Sequence, residues 1–119
     1  MEELKEGTAL VPLLQSRDLV LVQMGAESCA PCKALRAKLD RWSEAHPRVR
    51  CLYVPVEAFP REAAREGIFT VPAILFYVRG QLTLREVGCF SLEELLHRVE
   101  RYASLVSAEA DLQTDPAQV

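Results

Sequence analysis

At 119 residues, 50% hydrophobic and 26% charged, the chain is the length of one domain with a single modest core. A net charge of −3 with scattered lysines and arginines lacks the basic footprint of a nucleic-acid or anionic-membrane binder. No apolar run reaches the length of a membrane span, and Met1-Glu2-Glu3-Leu4-Lys5-Glu6 is too polar for a secretory signal, so the expectation is a chain in the reducing cytoplasm.

Residues 2–16 read as a helix with Leu4, Leu10, Val11, Leu13 and Leu14 as its apolar positions, interrupted by Gly7 and Pro12 so that its firm part begins near Thr8 and is bent or started afresh at Pro12. Ser16-Arg17-Asp18 turns the chain into a strand over 19–24, where Leu19-Val20-Leu21-Val22 is an apolar, β-branched run of the buried kind. A loop, Gly25 to Ser28, leads to a helix reaching Ala45, which ends at His46-Pro47 because the residue before a proline is pushed out of helical geometry. The next strand, 49–56, alternates Val49, Cys51 and Tyr53 with Arg50, Leu52 and Val54, and Pro55 makes its end an edge or an exit from the sheet. A short helix follows from Pro60 to Glu66, with Gly67 past its end. Ala73–Val78 and Leu82–Val87 form a hairpin about Arg79-Gly80-Gln81. Ser91 with Glu94 is a capping box opening the last helix, whose core stripe is Leu92, Leu95, Leu96, Val99 and either Leu105 or Val106. This gives one domain over 1–107 and a polar, flexible tail over 108–119, with no internal repeat.

The strand-helix-strand unit calls for a parallel pair with a right-handed crossover, and the hairpin adds antiparallel strands. The fold class is therefore α/β, a mixed sheet with helices on both faces. Chemistry concentrates at Cys29-Ala30-Pro31-Cys32, at the junction of the first strand and its helix. Residues three apart on a helix share one side, within the reach of a disulfide. The helix start favours negative charge, so Cys29 loses its proton more readily than a free thiol, and Pro31 suits a first turn that needs no N–H. The alternatives to a redox-active dithiol are a static bridge and a zinc site. Zinc needs a second ligand pair, and Cys51, Cys89, His46 and His97 show no ligand spacing, so no metal and no cofactor is expected.

The element order, with Cys29-Ala30-Pro31-Cys32 after the first strand and Thr70-Val71-Pro72 before the hairpin, resembles the thioredoxin family over residues 10–105. Phe59-Pro60, Gly67-Ile68, Arg79-Gly80 and Val87-Gly88 extend the match. The resemblance implies a thioredoxin fold, a cis Val71–Pro72 bond, and a thiol–disulfide oxidoreductase that reduces protein disulfides. Cys29 would attack and Cys32 resolve, while Ala30, Pro31, Val71, Pro72 and Gly88 would form the substrate-binding surface. Its implied partners are disulfide-containing proteins, with a thioredoxin reductase or glutathione as electron donor.

The departures narrow this. Gln23 stands where the family usually has a buried aspartate, and an amide cannot act as a base at neutral pH. Gly25 and Ser28 stand where tryptophans usually flank the motif, and Ala37 replaces a proline that often kinks the helix. With only a short N-terminal segment before the central strand, the family's extra first strand is expected to be missing, leaving four strands. Gln23, Lys33 and Cys89 are candidate modulators. Cys89 is either an inert turn residue or an exposed thiol near the motif. Cys51 and Trp42 read as core, His46 and His97 as solvated helix residues, Glu57 as without catalytic role, and Glu93-Glu94 as helix-start charges. Two further readings remain: a redox partner dedicated to one enzyme, and a thioredoxin-like binding or chaperone module without catalysis.

Overall fold

The computed structural model describes residues 1–113. Along the chain run β1 (Glu2–Glu3), α1 (Leu10–Leu14), β2 (Leu19–Gly25), α2 (Ala30–Ala45), β3 (Arg50–Pro55), α3 (Pro60–Arg65), β4 (Ala73–Val78), β5 (Gln81–Val87) and α4 (Leu92–Gln113). The strands form one mixed sheet in the order β1-β3-β2-β4-β5. β1, β3 and β2 are parallel, and β4 and β5 are antiparallel to their neighbours.

β2 lies third of five in the sheet, and every one of its residues is buried, the apolar run Leu19–Val22 and Met24 as expected and polar Gln23 with them. Val20, Val22 and Met24 face α1 and α3, where Leu10, Leu14, Phe59 and Ala63 close one core. Leu19 and Leu21 face α2 and α4, where Leu39, Leu95, Leu96 and Val99 close the other. Each fully buried aliphatic side chain contributes on the order of 1.5–3 kcal/mol of transfer free energy. β2 is thereby a platform buried along its whole length, and the cysteine motif follows its end.

The N-terminus corrects the sequence reading in part: the described residues form a five-stranded sheet, not a four-stranded one, and the helix is confined to α1, after Thr8, with β1 taking up residues 2–3. Glu2 pairs with Leu52 and Glu3 with Tyr53, and the Leu4 N–H continues the ladder to the Tyr53 carbonyl at 2.9 Å. Glutamate is a poor strand former, and a two-residue strand has no period to read. What holds it is tertiary. Leu4 is buried, Arg50 donates to Glu2 at 2.9 Å, and Arg36 of α2 donates to Glu3 at 2.7 Å.

The remaining elements fall close to their expected bounds. The β4–β5 turn takes only Arg79 and Gly80, with φ of 53° and 81°, the positive pair that a two-residue hairpin needs. Ser91 Oγ accepts the Glu94 N–H at 3.2 Å and caps α4. Val106 is buried while Leu105 is 65% exposed, which settles the helix's last core position. α4 runs on to Gln113, past residue 107, and the rest of the expected tail, 114–119, lies outside the described residues.

His46 departs from its reading as a solvated residue. It is half-buried, stacked on Trp42 with ring centroids 4.0 Å apart, and its Nε2 lies 2.9 Å from the Glu100 carboxylate of α4. It closes the C-terminal end of α2 against α4, a contact set by the helix packing and not by any local motif. His97 is exposed, and Cys51 is 6% exposed within the α2/α4 core.

Candidate active site

Cys29 is the N-cap of α2, with extended φ and ψ of −94° and 101°, and Ala30 and Pro31 fill the first helical positions. Its sulfur accepts the Cys32 N–H at 3.2 Å, doing for one free amide what a serine or aspartate cap usually does. The two cysteines are joined as a disulfide with Cα atoms 5.2 Å apart. Cys29 is half-buried and Cys32 fully buried, so the pair is open to solvent through Cys29.

The β2 residues beneath Cys32 are unusual. Gly25 lies so close to Tyr53 and Cys32 that a Cβ there would come 2.6 Å from the Tyr53 hydroxyl and 3.1 Å from Cys32 Cβ. The glycine is thus a space requirement: the Tyr53 ring, from the adjacent β3, occupies that volume. Gln23, two residues earlier on the same face, is fully buried, and its Nε2 donates to the Cys32 carbonyl at 2.9 Å. A polar side chain in this core is stabilised by that bond to the first turn of α2.

Two contrasting flanks border the pair. On one side Pro31, Leu35, Thr70, Val71, Pro72, Gly88, Cys89 and Phe90 line an uncharged groove of about 490 Å³. The Val71–Pro72 bond is cis, and the Gly88 N–H donates to the Pro72 carbonyl at 2.8 Å, tying the loop before β4 to the end of β5. Phe69, next to this loop, is 84% exposed. On the other side Glu3, Glu27, Lys33, Arg36, Tyr53 and Glu57 line a charged cleft. There the Arg36 guanidinium lies 4.2 Å from the Tyr53 ring centroid. Burial, foremost, pushes the Tyr53 phenol up, opposed by Arg36 and aided by Glu57, Glu3 and Glu27. Glu57 Oε2 accepts the Glu27 N–H at 2.9 Å, and this bond holds its carboxyl below the usual range. Among the described residues no group of three or more His, Cys, Asp or Glu is placed to hold a metal, and no helix is long and apolar enough to cross a membrane.

A family model described as Thioredoxin matches residues 6–101. The chain belongs to the thioredoxin family. Among curated relatives, thioredoxin of Chlamydia muridarum (strain MoPn / Nigg) is 31% identical over 84 residues, 71% of this chain and 82% of that one. Thioredoxin of Buchnera aphidicola subsp. Baizongia pistaciae is 31% identical over 94 residues, 78% and 86% of the two chains. Among solved structures, Plasmodium falciparum thioredoxin superposes with a TM-score of 0.77 at 20% identity, covering 86% of this chain and 99% of its own. Oxidised mitochondrial thioredoxin 3 from Saccharomyces cerevisiae gives 0.75 at 23%, covering 85% and 94%. The structural likenesses speak to the fold. Family membership and the Cys29–Cys32 pair together make the chain a thiol–disulfide oxidoreductase.

The structure gathers the expected residues of this thioredoxin-family protein around α2's first turn. Pro31, Val71, Pro72, Gly88 and Cys89 share the uncharged groove; Ala30 is exposed between the cysteines, Lys33 lines the charged cleft, and Gln23 lies under Cys32. Leu35, Tyr53 and Arg36 were missed as site residues. Leu35 stands three after Cys32 on a helix, and the β2–β3 register sets Tyr53 opposite Gln23. The helical spacing was readable, but the register was not.

Proposed function

We propose that this chain is a protein-disulfide reductase of the cytoplasm, acting in cell redox homeostasis through a Cys29/Cys32 dithiol. The observation that carries the reading is Cys29's position: a half-buried helix cap whose sulfur accepts the Cys32 N–H, beside a groove without charge. In the reduced protein that N–H and the helix start stabilise a Cys29 thiolate over the neutral thiol.

The thiolate attacks one sulfur of a substrate disulfide. A Cys29–substrate bond forms as the substrate's S–S bond breaks, and the departing sulfur takes the electron pair and then a proton. Cys32 next attacks Cys29 Sγ; the mixed bond breaks, the second substrate sulfur leaves with its electron pair, and the Cys32 proton passes to it. The substrate ends as two thiols and the enzyme as the disulfide. An external dithiol, that of a thioredoxin reductase, or glutathione then returns two electrons and two protons. Ala30, Pro31, Val71, Pro72 and Gly88 present the surface against which the substrate lies.

A narrower role, serving one partner enzyme, is favoured by the surroundings of the pair, where Gly25, Ser28 and Gln23 replace the family's usual residues. A redox titration of Cys29 and Cys32, with free thiols alkylated and counted by mass spectrometry, tests the main reading. A midpoint near or below about −250 mV supports a reductase, and one above about −200 mV points to an oxidant, an isomerase or a glutathione-coupled protein. If no Cys29–Cys32 bridge forms at any potential, the catalytic reading fails and a non-catalytic binding module takes its place.

A further inference from the structure

Gln23 presents a problem of hydrogen-bond accounting. Its Nε2 donates to the Cys32 carbonyl at 2.9 Å, which settles the orientation of the amide, since a carbonyl oxygen can only accept. Its Oε1 is then left in the buried space of the α2/β2 interface, where no donor among the described residues reaches it. A buried acceptor without a donor is destabilising, since it has given up its hydrogen bond to water. Cys32, fully buried and bonded to Gln23 through its backbone, has a sulfur that carries no proton as a disulfide and one proton as a thiol.

We infer that Gln23 is a redox-dependent positioning residue: when the Cys29–Cys32 bond is reduced, Gln23 Oε1 accepts a hydrogen bond from the Cys32 S–H. Reduction adds two electrons and two protons to the pair, and the proton on Cys32 provides the donor that the oxidised form lacks. This inference rests on the dithiol reading above. Two consequences follow from the chemistry of an amide. Gln23 stabilises the reduced pair relative to the disulfide, and it holds Cys32 as the protonated thiol without being able to accept that proton. Among the described residues, the other titratable groups near the pair offer no substitute base under Cys32. Tyr53, from β3, has its phenol pushed further up, while Glu27, Glu57, Lys33 and Arg36 lie in the open cleft beyond it. The resolving step therefore draws on the Cys32 thiol alone, with its proton passing to the departing substrate sulfur.

The test uses the full chain in glutathione redox buffers. Gln23→Met keeps the length and removes the amide. The dithiol-to-disulfide ratio is expected to fall by roughly threefold to tenfold, the worth of one neutral hydrogen bond, tenfold being about 30 mV for a two-electron couple. The Cys32 thiol, followed by the Cβ resonance in the reduced protein, is expected to ionise at lower pH in Gln23→Met. Gln23→Asp is expected to add a second inflection, from the carboxylate, to the pH profile of the resolving step. A ratio within twofold of the parent and an unmoved Cys32 titration would overturn the inference. Should the variants fail to fold, the unmutated chain decides: the Gln23 side-chain carbonyl resonance is expected to shift on reduction and to follow the Cys32 titration. The same resonance in both redox states overturns the inference. Turnover of protein disulfides by the parent chain is measured separately, so loss of the reductase reading is distinguishable from loss of this one.

Discussion

The two flanks of the Cys29–Cys32 pair differ in how far they satisfy themselves. In the charged cleft three of the charged side chains are tied to one another or to the backbone: Arg36 holds Glu3 and covers the Tyr53 ring, and Glu57 accepts the Glu27 N–H. In the uncharged groove, half-buried Val71, Pro72 and Phe90 lie beside exposed Pro31, and Phe69, 84% exposed, borders the loop. Charges already paired on the protein offer a partner little net gain. Apolar surface still facing water yields its full transfer free energy on burial. The contrast supports the proposed function's placing of the substrate on the groove, while the cleft fixes β1, β3 and α2 to one another.

The most drastic way to break this contrast is at the cysteines themselves. Cys29→Ser is expected to reduce turnover of a protein disulfide to the buffer background while the fold, read by circular dichroism, persists. A second expectation separates two free thiols. Cys89 faces the groove, whereas burial pushes the Cys51 thiol up to about 12. Alkylation of the folded, oxidised protein at neutral pH, mapped by mass spectrometry, should label Cys89 and spare Cys51 by orders of magnitude; equal labelling would contradict the burial of Cys51.

Next comes charge in the groove. Cys89→Asp is expected to lower kcat/KM for protein disulfides by about tenfold, the worth of 1.4 kcal/mol in substrate recognition, with Cys89→Ser staying within about twofold. Equal kinetics for the two variants would move recognition away from the groove. On the structural side, Gly25→Ala must displace the Tyr53 ring or the start of α2, at an expected cost of about 1–3 kcal/mol in denaturant unfolding. A variant as stable as the parent would show that the Tyr53 ring yields freely.

The smallest effect lies in the cleft. The Glu57 carboxyl is held below its ordinary 4.5 by the Glu27 N–H, so its folded pKa is depressed. Its contribution to stability is then present above about that pH and lost as pH falls through the lower folded value. Glu57→Ala should be slightly less stable than the parent at neutral pH, and the gap should close as the pH is taken below 4.5. A gap that persists in strong acid would assign the effect to something other than the carboxylate.

Much of this molecule was legible in order along the chain. The unbroken apolar run of β2, the His46-Pro47 stop of α2, and the Ser91 cap of α4 are local signals, each backed by a steric or hydrogen-bonding rule, and each appears where it was read. Cys29-Ala30-Pro31-Cys32 was legible for the same reason, since spacing on a helix start is local geometry. β1 was not, because Glu2 and Glu3 become a strand only through Arg50, Arg36 and the Tyr53 carbonyl, all distant in the chain. His46 was read as solvated because its partner Glu100 stands on another helix.

By itself, then, the sequence determined the periodic elements, their caps and stops, and the placement of two cysteines on the first turn of a helix, because these depend on neighbours within a few residues. The tertiary structure alone decided the fifth strand, the Tyr53 ring over Gly25, the division of the surface into a charged cleft and an uncharged groove, and the seating of the Gln23 amide against Cys32. Those features depend on strand register and on helices laid across the sheet, which bring together residues whose separation along the chain carries no signal of their meeting.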